Sequence, residues 1–134
     1  INSLDENSLV IWNSDEEKEI AEFIVSNSSA KMFPRVNLNS LKAIISKVDL
    51  VIGNDTGPTH MAWGLNKPSI TLFGPTPVSR VYQTDLNKVL KSPSKVNPFK
   101  LNKNDFSINQ IVVENQDSLA RFYFFHSGAL TQRY

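Results

Sequence analysis

One stretch constrains the fold of this chain more than any other: Val48-Asp49-Leu50-Val51-Ile52-Gly53-Asn54-Asp55-Thr56-Gly57-Pro58-Thr59-His60-Met61-Ala62. An apolar run rich in β-branched residues ends in a polar turn, and the turn opens directly into a helical pattern. Pro58 suits the first turn of that helix, where its missing N–H is not needed. The helix carries Met61, Ala62 and Leu65 and is expected to stop near Asn66-Lys67-Pro68. A second strong strand follows at once, Ser69-Ile70-Thr71-Leu72-Phe73, closed by Gly74-Pro75-Thr76-Pro77.

The same alternation runs upstream. Ser8-Leu9-Val10-Ile11-Trp12 is a short apolar run that reads as a buried strand. Ser14 stands three residues before Glu17, the spacing of a capping box, and Asp15, Glu16 and Glu17 put negative charge where a helix dipole favours it. Ile20, Phe23 and Ile24 then recur at helical spacing and predict a core-facing stripe. A weak strand over residues 30–33 precedes a second helix, capped by Asn37 or Asn39, with Leu38, Leu41, Ile44 and Ile45 on one face. Strand, helix, strand, helix, strand, helix, strand is the order that builds a parallel α/β sheet, and the apolar strands imply cover on both faces. After Val81 the pattern decays into a stretch rich in Lys, Asn, Ser and Pro, with one short strand at Val89-Leu90. There is no internal repeat.

Composition removes several function classes. A chain of 134 residues fits one domain, and 40% hydrophobic with 20% charged residues is ordinary for a globular protein. A formal net charge of +1 is too small to argue for nucleic acid. With no cysteine there is neither a disulfide framework nor a thiolate site, and two histidines make no convincing metal centre. No run approaches the roughly 18 apolar residues of a membrane span. The first residue is Ile1, which suggests a piece of a longer chain.

A turn that leaves the carboxyl end of a parallel strand and opens a helix presents free backbone N–H groups and the positive end of a helix dipole. Such a turn binds phosphate without a basic side chain. Thr56 and Thr59 add hydroxyl donors, Gly57 allows close backbone approach, and His60 sits within reach of the same anion. The plainer reading is that Asp55 or Thr56 caps the helix and Gly57 makes the turn. The second turn, Phe73-Gly74-Pro75-Thr76-Pro77, lies at the end of the next strand, and two polar turns on adjacent strand ends predict a cleft wall.

The run from Val48 to Ala62, with Lys67-Pro68 and Leu72-Phe73-Gly74-Pro75-Thr76, resembles the ADP-heptose:lipopolysaccharide heptosyltransferases of glycosyltransferase family nine. The resemblance covers roughly residues 9–76 and fades beyond. It implies a Rossmann-like parallel sheet with flanking helices, the C-terminal, donor-binding half of a two-domain GT-B glycosyltransferase. Family members transfer heptose from ADP-heptose to the lipopolysaccharide inner core, with inversion and without a metal or other cofactor. By resemblance, Asp55 contacts the donor sugar or organises the turn. Thr56, Gly57, Pro58, Thr59 and His60 meet the diphosphate, Glu17 holds the ribose hydroxyls and Val36 lines the adenine. For Glu17 the capping box competes for the same carboxylate. Trp12 and Trp63 read as core residues, and Lys91, Lys95, Lys100 and Lys103 as a solvated basic face.

The resemblance also marks what is missing. Family members begin this half-domain with a strand, a loop bearing Ser/Thr and Lys, and a helix, and nothing here corresponds. The N-terminal domain, which would bring the acceptor site and the general base, is absent too. The resemblance therefore places the protein in the cytoplasm of a Gram-negative bacterium, with peripheral attachment to the inner membrane as one option, and makes the isolated chain inactive. The organisation expected is a nucleotide-sugar-binding domain over residues 1–110 and a helical or poorly ordered tail over 111–134, where Arg121-Phe122-Tyr123-Phe124-Phe125 either packs on a further domain or marks a junction. Three rivals stand beside this reading: another GT-B-type enzyme using a UDP sugar, a truncated inactive fragment, and a plain nucleotide-binding module.

Overall fold

A computed structural model describes residues 7–81, 83–97, 99, 102 and 104–111. The expected tail beyond Ile111, with its aromatic run, lies outside the described residues, as do Lys100 and Lys103. The chain divides into two compact units, Ile1–Leu41 and Lys42–Tyr134.

In the first unit, β1 (Leu9–Val10) pairs in parallel with β2 (Lys31–Met32), and α1 (Asp15–Ser26) packs on both. The capping box forms as the sequence predicts. Ser14 Oγ accepts the Glu17 N–H at 3.2 Å, while Glu17 Oε2 accepts the N–H groups of Ser14 at 3.2 Å and Asn13 at 2.8 Å. The expected apolar stripe does not hold. Ile20 and Phe23 are 60% and 68% exposed, and the buried residue is Ala21. Two strands of two residues offer α1 little surface, so the helix approaches through its smallest side chain. Asn37 caps the next helix, α2 (Leu38–Lys47), within which the first unit ends and the second begins; its Oδ1 accepts the Ser40 N–H at 2.9 Å. Of its apolar set only Ile45 is fully buried, and Leu38 is exposed.

The second unit holds the better core. β3 (Val51–Asn54), β4 (Ser69–Phe73) and β5 (Asn87–Lys91) form a parallel sheet in that order, with Ile52 opposite Ile70 and Ile70 opposite Lys88. α3 (Gly57–Gly64) packs on β3 and β4. Ala62, Ile70 and Phe73 are fully buried. The strand expected at Val89-Leu90 is thus five residues long. It begins at Asn87, whose amide and that of Leu86 donate to Thr84 Oγ1 at 3.0 and 3.2 Å. α3 stops where the sequence predicts, and a left-handed cap closes it. Asn66 adopts φ 54°, a conformation that Asn tolerates. The Asn66 and Lys67 N–H groups reach back to the carbonyls of Trp63 and Ala62 at 3.0 and 2.8 Å, the double bond of a Schellman motif.

Parallel strands with flanking helices constitute the Rossmann-like α/β class expected from the sequence. The strands are hydrogen-bonded as two sets rather than as one sheet. Within β4, the Thr71 hydroxyl is fully buried and has no hydrogen-bond partner among the described residues. Replacing it with a methyl removes a desolvated, unpaired group, so Thr71→Val should raise unfolding stability by about 1 kcal/mol. Urea unfolding followed by circular dichroism measures this, and a lower midpoint in the variant would contradict it.

Candidate functional site

The site is built from the junction of β3 with α3. β3 ends at Asn54, Asp55 makes the turn, and Thr56 stands at the N-cap in extended conformation with φ −142° and ψ 173°. A helix start leaves four N–H groups without a helical acceptor. Here Thr56 and Thr59 form a reciprocal capping box, as the plainer reading of the turn expects: the Thr56 N–H donates to Thr59 Oγ1 at 3.3 Å, and the Thr59 N–H is turned to the Thr56 side chain. Position 58 is proline, so of the four the Gly57 N–H is left. It lies at the positive end of the α3 dipole, the arrangement that attracts an anion.

Gly57 has no structural need to be glycine. A Cβ built on it meets nothing within 4 Å, and its φ lies outside the left-handed region. Gly53 differs, since a Cβ there would stand 3.2 Å from Thr59 Cγ2. One glycine lets the helix approach the strand, and the other leaves open space in front of its N–H group. The Thr59 side chain does not serve as the ligand donor expected of it. It is fully buried, and its hydroxyl lies 2.8 and 2.7 Å from the carbonyls of Asn54 and Thr56, so its one proton is committed inside the turn. Thr56 is exposed, with its hydroxyl 3.4 Å from the Asn54 carbonyl.

Asp55 and His60 are brought together. His60 Nε2 lies 2.8 Å from Asp55 Oδ1, with the carboxylate mostly covered and the imidazole half exposed. An ionised carboxylate only accepts, so Nε2 carries the proton. Trp63, one turn further along α3, stacks on the His60 ring. The core reading of Trp63 missed this, although His60 and Trp63 stand at the i, i+3 spacing that brings helix side chains together. Trp12 is likewise only half-buried, its Nε1 donating to the Phe33 carbonyl at 2.9 Å.

In the first unit, Glu17 lies on the first turn of α1 and Val36 in the loop after β2, both following carboxyl ends of that unit's strands. Among the described residues the hydrogen bonds of the Glu17 carboxylate fall on Oε2 alone, so the capping box leaves Oε1 without a partner there. Val36 is half-buried.

The second turn is not the open cleft wall expected. Gly74 is buried, and a Cβ on it would meet the Ile108 Cβ at 3.0 Å. The segment bearing Ile108 is tied down by serines. Ser92 Oγ donates to the Gly74 carbonyl at 3.4 Å, Ser107 Oγ to Ser92 Oγ at 2.8 Å, and the Ser107 N–H to Asp105 Oδ1 at 2.8 Å, while Ser94 donates to Asp105 Oδ2. No sequence signal pointed to this cover, because the residues fall in a stretch without periodicity. Among the described residues no group of three His, Asp or Glu is placed to hold a metal ion, and no helix is long and apolar enough to cross a membrane.

A family model for glycosyltransferase family 9 (heptosyltransferase) matches residues 4–105. The chain belongs to this family. It is 37% identical over 120 residues to lipopolysaccharide heptosyltransferase 1 of Campylobacter coli, covering 84% of this chain and 35% of that protein. The enzyme of the same name from Escherichia coli K12 is 25% identical over 109 residues, covering 81% and 32%. Lipooligosaccharide heptosyltransferase 2 of Haemophilus influenzae is 36% identical over 59 residues, covering 44% and 16%. The chain thus spans about a third or less of the length of these family 9 relatives. No solved structure matches it significantly.

Hydrogen bonds from Ser107, then from Ser94, hold the Asp105 carboxyl below the usual aspartate range. Its contribution to stability is therefore complete above the ordinary aspartate pKa and is lost as pH falls through the lowered value. Asp105→Asn should flatten the acid limb of a stability-against-pH curve near that range. An unchanged limb would contradict the role of Asp105 in holding the cover over Gly74.

Proposed function

We propose that this chain is the donor-binding half of a heptosyltransferase that takes ADP-heptose and passes heptose to the lipopolysaccharide inner core. The observation that carries the reading is the Gly57 position. A first helical turn at a strand's carboxyl end keeps the Gly57 N–H without a helical acceptor, at a position whose side chain nothing in the fold forbids. Family membership supports a sugar donor, and the relatives named as lipopolysaccharide heptosyltransferases support heptose and a lipopolysaccharide acceptor.

In this reading the Gly57 N–H and the Thr56 hydroxyl meet the donor diphosphate, with Thr59 holding the turn through its capping box and Pro58 shaping it. His60 meets the same diphosphate and Asp55 orients the donor. Glu17 Oε1 receives the ribose hydroxyls while Oε2 keeps its cap, so the two roles proposed for this carboxylate are compatible. Val36 borders the adenine. The acceptor hydroxyl, deprotonated by a base outside this chain, attacks the anomeric carbon on the face opposite the diphosphate. The new C–O bond forms as the bond to ADP breaks, and the anomeric centre inverts. Negative charge grows on the departing diphosphate, where preorganised donors in a fixed turn stabilise it without reorganisation. No metal takes part in this scheme. The working site of the enzyme is cytoplasmic.

Calorimetry with ADP tests the proposal. The chain should bind ADP in preference to UDP and, alone, transfer no heptose. Gly57→Val should weaken ADP binding about tenfold, equal to about 1.4 kcal/mol, with an unchanged thermal melt, because its side chain enters open space in the fold. Equal binding by both proteins, or preference for UDP, would contradict the assignment.

A further inference from the structure

His60 leaves the first turn of α3 with its side chain 52% exposed, and an imidazole so placed has several rotamers open to it. Two contacts select one. Asp55 Oδ1 holds Nε2 at 2.8 Å, and the Trp63 indole lies against the ring with centroids 4.3 Å and planes 20° apart. Trp63 is anchored in turn. Its Nε1 donates to Ser69 Oγ at 3.0 Å, and Ser69 Oγ donates to Asn87 Oδ1, also at 3.0 Å. Ser69 and Asn87 face each other at the first register position of β4 and β5 and are 0% and 3% exposed. A hydroxyl and an amide buried in a sheet are costly unless satisfied. Here they close a hydrogen-bonded chain that begins in the sheet and ends at a half-exposed imidazole.

We infer that Trp63 is a positioning residue of the donor site: anchored through Ser69 to Asn87, it holds the His60 ring so that Nε2 faces Asp55 and Nδ1 is left for the donor diphosphate. The inference rests on the donor-site reading above. Nδ1 has no partner among the described residues. A phosphate oxygen offers only lone pairs, so the ring that meets it carries both protons, one shared with Asp55 and one with the ligand. Trp63 touches no ligand in this arrangement and acts only through His60.

A double-mutant cycle on the 134-residue chain separates this role from a general structural one. Trp63→Leu should weaken ADP binding about fivefold, the scale of a lost aromatic stack. In a His60→Ala background the same substitution should cost nothing further, and Trp63→Phe, which keeps a ring against the imidazole, should restore most of the affinity. Proton NMR gives a second readout that needs no ligand. The indole ring current should move the His60 ring protons upfield in the unsubstituted chain, and Trp63→Leu should abolish the shift. If Trp63→Leu does not fold, Ser69→Ala, which removes the acceptor of the indole N–H, carries the cycle. Additive losses in the cycle, or unshifted His60 protons, would overturn the role of Trp63 and leave the donor site standing. Failure of the unsubstituted chain to bind ADP would overturn both, while the ring-current shift would still report the stack.

Discussion

The second unit turns on one buried hydroxyl. Thr59 is inaccessible to solvent, and its Oγ1 lies within hydrogen-bonding distance of the Asn54 and Thr56 carbonyls while accepting the Thr56 N–H. This knot ties the last residue of β3 to the first turn of α3, so the direction of the helix follows from the end of the strand. Gly53 makes room for it, with the Thr59 methyl 3.2 Å from where a Cβ would stand. Everything chemical at this end of the sheet depends on that geometry: the N–H groups of the turn, the reach of Asp55 to His60, and the line of α3 that carries Trp63 over the start of β4.

The knot also explains why one family of residues divides its labour. In the run from Asp55 to His60, neighbouring positions face different work. Thr59 and the Thr56 N–H hold the turn together, whereas Gly57 and His60 are left exposed. A turn held only by its ligand-facing groups would have to be organised at each binding event. Here the internal bonds do that in advance, which is the condition for a preorganised anion site.

Much of this was legible in the residues. The apolar run ending in Gly53-Asn54, the proline in the first helical turn and the Ser14–Glu17 spacing each name a local structure that forms. The stop of α3 was read from Pro68, while the left-handed Asn66 is what closes it. What the pattern hid was tertiary. Thr59 looked like a ligand donor because spacing cannot tell a buried hydroxyl from an exposed one. Ile20 and Phe23 looked like core because periodicity reports amphipathicity, not whether a strand is long enough to cover the face. The extent of β5 is hidden by its polar first residues, Asn87, which accepts from Ser69 across the register, and Lys88, which stands opposite Ile70. The cover of Gly74 by Ile108 has no local signature at all.

The central claim is that the strand-to-helix turn at Gly57 receives the diphosphate of an ADP-linked sugar. Amide-resolved NMR of the chain titrated with ADP tests it most directly. The account predicts that the Gly57, Thr59 and His60 amides shift together and saturate with one affinity, and that adenosine without phosphates leaves them in place. Shifts that leave residues 56–60 unmoved, or that appear equally with adenosine, would contradict it.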